Sequence, residues 1–461
     1  MTLIGLIVLG ILVIGLLCGR NAYNHVFVAT IGFNDSSIIQ SGSIAVSPFY
    51  AAAIIWLLAN CTIWSRRRER HGQVIAISFV AFIAVLTALG PTLFHGMGVV
   101  ASDIGLDQQA GNLSPLAYST SNIAQVAYLA IAIAVFSLNT RDGIAERHVV
   151  TGLVVGSLTA LSSMVISSWP HAVFDNRGDG FYSIETIRVR GQFAEPSHLG
   201  VFALVCCIFF VTRLASAATL RNVLVNSILA LMGAVLLAVS ATGTALIGLP
   251  VAVVVAGSLL FVRWAKNGRR VSPLTFISLA FVPPLVTVVL LRYWSVALEA
   301  IVAKTGSTSF STRSFVDGNA IRVFVESWFL GVGAGSNRAS SLFLMALSQL
   351  GLIGTLLFLL LMWSAIRAGY SHAAAVASAS GLVAFLCAAF VSFADLVSPI
   401  MWILATVSAS ALPQLQHPAG PVGRPSDSFD HQLNNKGPHA HRPHHEHLVP
   451  GQAGRPRALR P

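Results

Sequence analysis

Apolar residues in this chain come in long runs broken by short polar or charged stretches. The alternating or one-faced patterns of a water-soluble fold are absent. Most runs approach the twenty or so residues an α-helix needs to cross the hydrocarbon core of a bilayer. They predict twelve spans, near residues 2–18, 43–64, 73–94, 118–138, 149–168, 197–212, 223–240, 244–262, 274–291, 340–366, 373–391 and 396–412. Tryptophans at run ends (Trp64, Trp169, Trp264, Trp294, Trp363) fit the aromatic belt at headgroup level. Met1 to Leu17 lacks the basic start and small-residue cleavage site of a signal peptide and is read as the first span. The expected fold class is therefore all-α: a polytopic transmembrane helix bundle over residues 1–412. It carries two long connections, at about 169–196 and 292–339, and a polar tail follows at 413–461.

Composition supports this class. Hydrophobic residues make up 55% of the 461 positions and charged residues only 10%, against about 25% charged in soluble domains. The net charge of +11 comes without a basic face interleaved with aromatics, so nucleic acid is not an expected partner. Basic residues instead fill one set of connections: Arg66, Arg67, Arg68 and Arg70; Arg141 and Arg147; Arg213 and Arg221; Arg263, Lys266, Arg269 and Arg270; Arg367. This bias marks a cytoplasmic side and puts both termini there. The cysteines (Cys18, Cys61, Cys206, Cys207, Cys387) lie in or beside apolar runs and read as small packing residues. The tail's "HAHRPHHEH" (His439–His447) has two readings, a disordered segment with weak metal affinity or a dedicated metal site; the former suits its composition.

The two long connections break the charge rule. "RVRGQFAEPSHLG" (Arg188–Gly200) sets Arg188 and Arg190 before Glu195, with Pro196 suited to the first helical turn and His198 within that turn. Free N–H groups and the helix dipole favour an anion at such a terminus. A capped helix end beside headgroup-binding arginines explains the same residues. The second connection, "STSFSTRSFVDGNAIRVFVESWFLGVGAGSNRASS" (Ser307–Ser341), predicts a short interfacial helix capped by Asp317, with Ile321, Phe324, Val325, Trp328 and Phe329 on its apolar face. Arg322 and Glu326 are spaced to pair on its surface. "GVGAGS" is expected to be a flexible, backbone-exposed turn and is not a Walker loop. Arg313, Arg322, Arg338 and Arg190 thus come from two segments on one side, and guanidinium is the preferred group for bidentate phosphate contact. Anionic lipid headgroups would account for the arginines but need no glutamate. "DNRGDGFYSIE" (Asp175–Glu185) departs from a calcium loop at its third position and its last glutamate. Asp395, an acid close to the membrane, is a functional candidate without an assigned partner. No cofactor is implied.

"RGQFAEPSHLG", "SATGTALIG" and "SFSTR…GVGAGSNRASSLFLMALSQLGLIG" together resemble the Wzy-type O-antigen and exopolysaccharide polymerase family, which also contains the O-antigen ligases. The resemblance covers roughly residues 160–410. It implies a GT-C-like glycosyltransferase, an all-helical membrane enzyme of the bacterial inner membrane working on its periplasmic face. Its partners would be undecaprenyl-diphosphate-linked glycan donor and acceptor, the lipid bilayer, and a chain-length regulator and flippase. Arg322 to Gly333 matches the family's Arg-x10-Gly spacing; Arg190 to Gly200 is one residue short. Ser340 and Ser341 replace the His-Asn pair of the ligases, which argues for a polymerase over a ligase. Gly243 stands where many members carry an arginine, so that diphosphate contact is either missing or supplied by Arg313 or Arg338. On this reading Glu195, Arg190 and Arg338 are catalytic, while Arg188, Arg313, Arg322 and His198 hold diphosphate, without a metal. A transporter is the rival from another class, but transporters place charge near the midplane and show internal repeats.

Overall fold

The computed structural model describes residues 3–41, 44–64, 71–101, 112–140, 143–166, 189–267 and 308–410. The chain divides into two units, Met1–Gln414 and Leu415–Pro461. The second unit, which holds most of the expected polar tail, lies outside the described residues, as do the expected span at 274–291, Arg188 and the Asp175–Glu185 stretch.

The first unit is mostly helical. In chain order its helices are α1 (Leu3–Leu17), α2 (Arg20–Ala29), α3 (Pro48–Trp64), α4 (His71–Leu93), α5 (Thr120–Leu138), α6 (Glu146–Val165), α7 (Pro196–Leu214), α8 (Leu220–Ser240), α9 (Gly243–Asn267), α10 (Thr308–Glu326), α11 (Leu342–Ser371), α12 (Val376–Ser392) and α13 (Pro399–Ser410). Eight helical segments among the described residues are long and apolar enough to cross a membrane, and three shorter apolar helices accompany them. The protein is therefore a multi-pass helical membrane protein. Large apolar side chains on the outer faces, such as Leu58, Ile228, Val254, Leu360 and Trp363, remain exposed, as expected where lipid is the solvent. The core is built of alanine, branched aliphatic and aromatic side chains, with Trp56, Phe209, Phe358, Phe385 and Trp402 fully buried.

Three features differ from the sequence expectations. Residues 19–42 were expected to be a connection, yet they contain α2 and a 3-10 extension, Thr30–Phe33. At its start, Asn21 meets Arg147 and His148 at the head of α6; past its far end, Asp35 meets Ala194. Its polar sequence, RNAYNHVFVA, hid it because its neighbours are protein rather than lipid: Tyr23, Asn24, Phe27 and Val28 are buried. Gly5 in α1 packs against Ile38, while Ser408 in α13 packs against Gly369 near the opposite end of α11. Leu3 and Ser410 thus lie at opposite ends of the helical array, although both were expected on one side. Second, within this all-α class two short antiparallel ribbons of which the sequence pattern held no sign, Ile39–Ser41 with Ile44–Val46 and Gly98–Val99 with Ser114–Pro115, cap the end that carries Asp35.

Third, the run expected as one span at 340–366 is broken. Gly351 adopts φ 66° and ψ −170° inside α11. A Cβ there would stand 2.1 Å from the Leu330 carbonyl oxygen, so only glycine fits. The break leaves a short helix, 342–350, whose freed backbone groups bond the 329–333 segment: Val332 N to Ser348 O, Gly333 N to Gln349 O and Leu352 N to Phe329 O, at 2.8–3.0 Å. Non-helical backbone at membrane depth is tolerated when protein satisfies it in this way.

Candidate functional site

Where α5, α7, α10, α11 and the end of α12 gather with the segment 393–397 beside residues 34–50, a cavity of about 290 Å³ opens. Glu195, His198, Arg313 and Arg338 line it, together with Asn34, Asp35 and Asp395.

The local sequence explains how Glu195 arrives there. Gln192 is buried and donates to Gly32 O at 3.1 Å and Gly156 O at 3.0 Å, anchoring the 189–195 segment to the 3-10 turn and α6. Glu195 then takes the extended N-cap conformation (φ −135°, ψ 153°) and Pro196 opens α7. Its carboxylate does not cap the helix; it accepts from Ser197 Oγ at 2.8 Å and lines the cavity. Burial pushes this carboxyl up, but His198, the Ser197 hydroxyl and the guanidiniums of Arg313 and Arg338 outweigh burial and hold it below its ordinary value. It is therefore ionised at neutral pH.

Asp35 fixes the same corner from the other side. Its Oδ2 accepts the Ala194 N–H at 2.7 Å and faces His198 Nδ1 at 2.9 Å. One buried carboxylate thus ties the residue before Glu195 to the histidine after it. The His198 ring rests edge-on against Phe393, with centroids 4.8 Å apart.

The second connection contributes the arginines. α10 is longer than expected, and Asp317 does not cap it; Asp317 sits inside the helix and accepts from Ser340 N at 2.8 Å and Ser340 Oγ at 2.5 Å. Arg313 Nη1 donates to Ser392 Oγ at 2.6 Å at the end of α12. Residues 331–337 are buried rather than exposed. Gly331, Gly333 and Gly335 have positive φ, and a Cβ at Gly333 would meet Thr87 Cα at 2.7 Å. Ala334 N donates to Thr87 Oγ1 and Gly335 N to Gln349 Oε1. Arg338 follows directly, its N–H bonded to Val100 O at 2.9 Å, so its backbone is fixed. The glycines act here as close-packing residues, not as a hinge.

Two of the arginines expected in the site do not line the cavity. Arg322 spends its guanidinium on Glu326 at 3.1 Å, Asn319 Oδ1 at 2.7 Å and Gly98 O at 2.6 Å. The surface pairing foreseen for it with Glu326 is present. Arg190 Nη1 donates to Ala194 O at 3.3 Å and so braces the segment that carries Glu195.

Several lining residues escaped the sequence reading. Asp35 and Asn34 lay in a stretch without motif. Asp395 had no visible partner; it accepts from Val397 N at 3.0 Å and stands 3.4 Å from Asn34 Nδ2. Tyr128 and its stacked neighbour Tyr50 were hidden within spans. Among the described residues no group of three His, Cys, Asp or Glu side chains is placed to hold a metal ion. Chemically the cavity offers the carboxylates of Glu195, Asp35 and Asp395, an imidazole oriented by Asp35 and two guanidiniums around one space. No protein-family model matches the chain, and no curated protein is significantly similar to it.

Proposed function

We propose that this protein is a glycosyltransferase, a polysaccharide polymerase that joins undecaprenyl-diphosphate-linked oligosaccharide repeat units on the periplasmic face of a bacterial inner membrane. The observation that carries the reading is the meeting of Glu195, Arg313 and Arg338, from three separate segments, in one cavity at one end of a helical membrane protein.

The chemistry follows from these groups. A hydroxyl of the acceptor glycan attacks the anomeric carbon of the donor and loses its proton to the Glu195 carboxylate. The bond from that carbon to the diphosphate oxygen breaks, and its electron pair leaves with the diphosphate. Arg313 and Arg338 face the charge that grows on this oxygen, so they stabilise the transition state more than the ground state. His198, oriented by Asp35, keeps the carboxylate in place. Arg190 serves as a brace, and Arg322 drops out of the diphosphate set. With the cavity outside, the basic connections at the opposite end face the cytoplasm, in keeping with the charge bias.

The test is made in cells. Arg338→Ala should shorten the polymer at unchanged protein level; unchanged chain length would remove Arg338 from the site. A deletion strain should accumulate single repeats on the lipid. Long chains left unattached would point to a ligase instead, and repeats trapped on the inner leaflet to a transporter.

A further inference from the structure

The cavity is chemically uneven. Asp395 stands 3.4 Å from Asn34 Nδ2, and two residues on, Val397 O accepts from the Tyr50 hydroxyl, whereas Arg313 and Arg338 reach the cavity from α10 and the 331–338 segment. On the Asp395 side the wall is aromatic and neutral-polar. The rings of Tyr50 and Tyr128 stack with centroids 4.0 Å apart and planes 19° apart. Tyr50 is buried and its hydroxyl donates to Val397 O, so it is a fixed support; Tyr128 is half-buried and lines the cavity. Gln125 lies one helical turn before Tyr128 on α5, and it lines the cavity, as do Asn34 and Ser47. Ser47 is 6% exposed and its hydroxyl has no hydrogen-bond partner among the described residues. A buried hydroxyl without a partner is costly, and a hydroxyl-bearing ligand relieves it.

We propose that this wall is a carbohydrate subsite that takes the acceptor sugar, while the donor diphosphate is held at the arginines. The C–H face of a pyranose packs on Tyr128, and its hydroxyls bond Asn34, Gln125, Ser47 and Asp395. Such a mix of an apolar ring with a few placed polar groups is how small polar ligands are oriented in a pocket. A diphosphate is kept from this side by Asp395, since like charges brought together in a poorly hydrated site repel. The proposal rests on the glycosyl-transfer reading of the cavity and assigns its two halves.

The experiment uses the purified full-length protein in detergent and two probes. One is undecaprenyl diphosphate without sugar; the other is the repeat-unit oligosaccharide freed from its lipid by mild acid. Tyr128→Ala is expected to weaken oligosaccharide binding about tenfold and leave undecaprenyl diphosphate binding within about twofold. Arg338→Ala is expected to do the reverse. Gln125→Ala repeats the first test without removing a ring, and retained diphosphate binding serves as the folding control. If the oligosaccharide does not bind while undecaprenyl diphosphate does, or if it binds equally well to both wall variants, the subsite is overturned and the phospholipid reading stands. If oligosaccharide binding falls equally in Arg338→Ala and Tyr128→Ala, the division into halves is overturned. If neither probe binds, the transferase reading itself fails.

Discussion

Asp35→Asn tests the corner on which the site depends. The side chain keeps its shape but loses its charge, and one of its two acceptor oxygens becomes an NH2 donor. In the structure, one Asp35 oxygen serves both the Ala194 N–H at 2.7 Å and His198 Nδ1 at 2.9 Å. Hydrogen bonds to a charged group contribute about 1.5–3 kcal/mol each, and removing one partner of a buried pair costs about 3–5 kcal/mol. The His198 side chain is 29% exposed and Asp35 8%, so some solvent screening applies and the lower end, about 3 kcal/mol, is expected. Two assays read this. Detergent-solubilised protein titrated with SDS should unfold earlier by that amount. Hydrogen exchange should show the Ala194 amide losing protection, while amides in the middle of α4 and α11 keep theirs. Polymer length should fall as well, because Glu195 follows Ala194 directly. If the unfolding midpoint and Ala194 protection are both unchanged, Asp35 does not hold the corner and the reasoning fails.

Other expectations follow from the same geometry. Glu195→Gln should insert normally and reduce the rate by about 10²–10⁴-fold, the usual worth of a general base. Because the folded Glu195 carboxyl titrates below its ordinary value, the stability from its ionisation is complete above the ordinary carboxylate range and is lost as pH falls through the folded value. The acid limb of the pH–rate profile should therefore lie below that range in the wild type and move up in Arg338→Ala; an unmoved limb would remove Arg338 from the field at Glu195. Gly351→Ala must push a Cβ against the Leu330 carbonyl at positive φ and should destabilise the protein by about 2 kcal/mol or more, read by SDS titration. Arg322→Ala should leave polymer length unchanged, since its guanidinium is spent on Glu326, Asn319 and Gly98; shortened polymer at normal stability would return it to the diphosphate set.

The membrane class was legible because lipid-facing residues must be apolar wherever they fall, so long runs survive in the sequence. α2 was not legible for the converse reason: buried by neighbouring helices, it keeps Asn24 against Trp56 Nε1 and His25 against Thr151, and its run of apolar residues is broken. Glu195, Arg313 and Arg338 stood out because charge beside a membrane helix is rare and demands an explanation. The same logic misled for Arg322, whose partners Gly98 and Asn319 are invisible without the fold. Asp35 was beyond reach, since its partner His198 lies 163 positions away and nothing local marks the pair. The glycine stretch at 331–335 shows a further limit. Composition suggests freedom, whereas close contacts with Thr87, Gln349 and Ser121 make these the most confined positions of their loop.

The most direct measurement is a reaction of purified protein in detergent with a lipid-linked repeat unit as the sole substrate, following both glycan size and free undecaprenyl diphosphate. The account predicts a ladder of longer lipid-linked chains, with one undecaprenyl diphosphate released for each bond formed and both signals lost in Arg338→Ala. A well-folded preparation that leaves the repeat unit at its original length and releases no undecaprenyl diphosphate would contradict it.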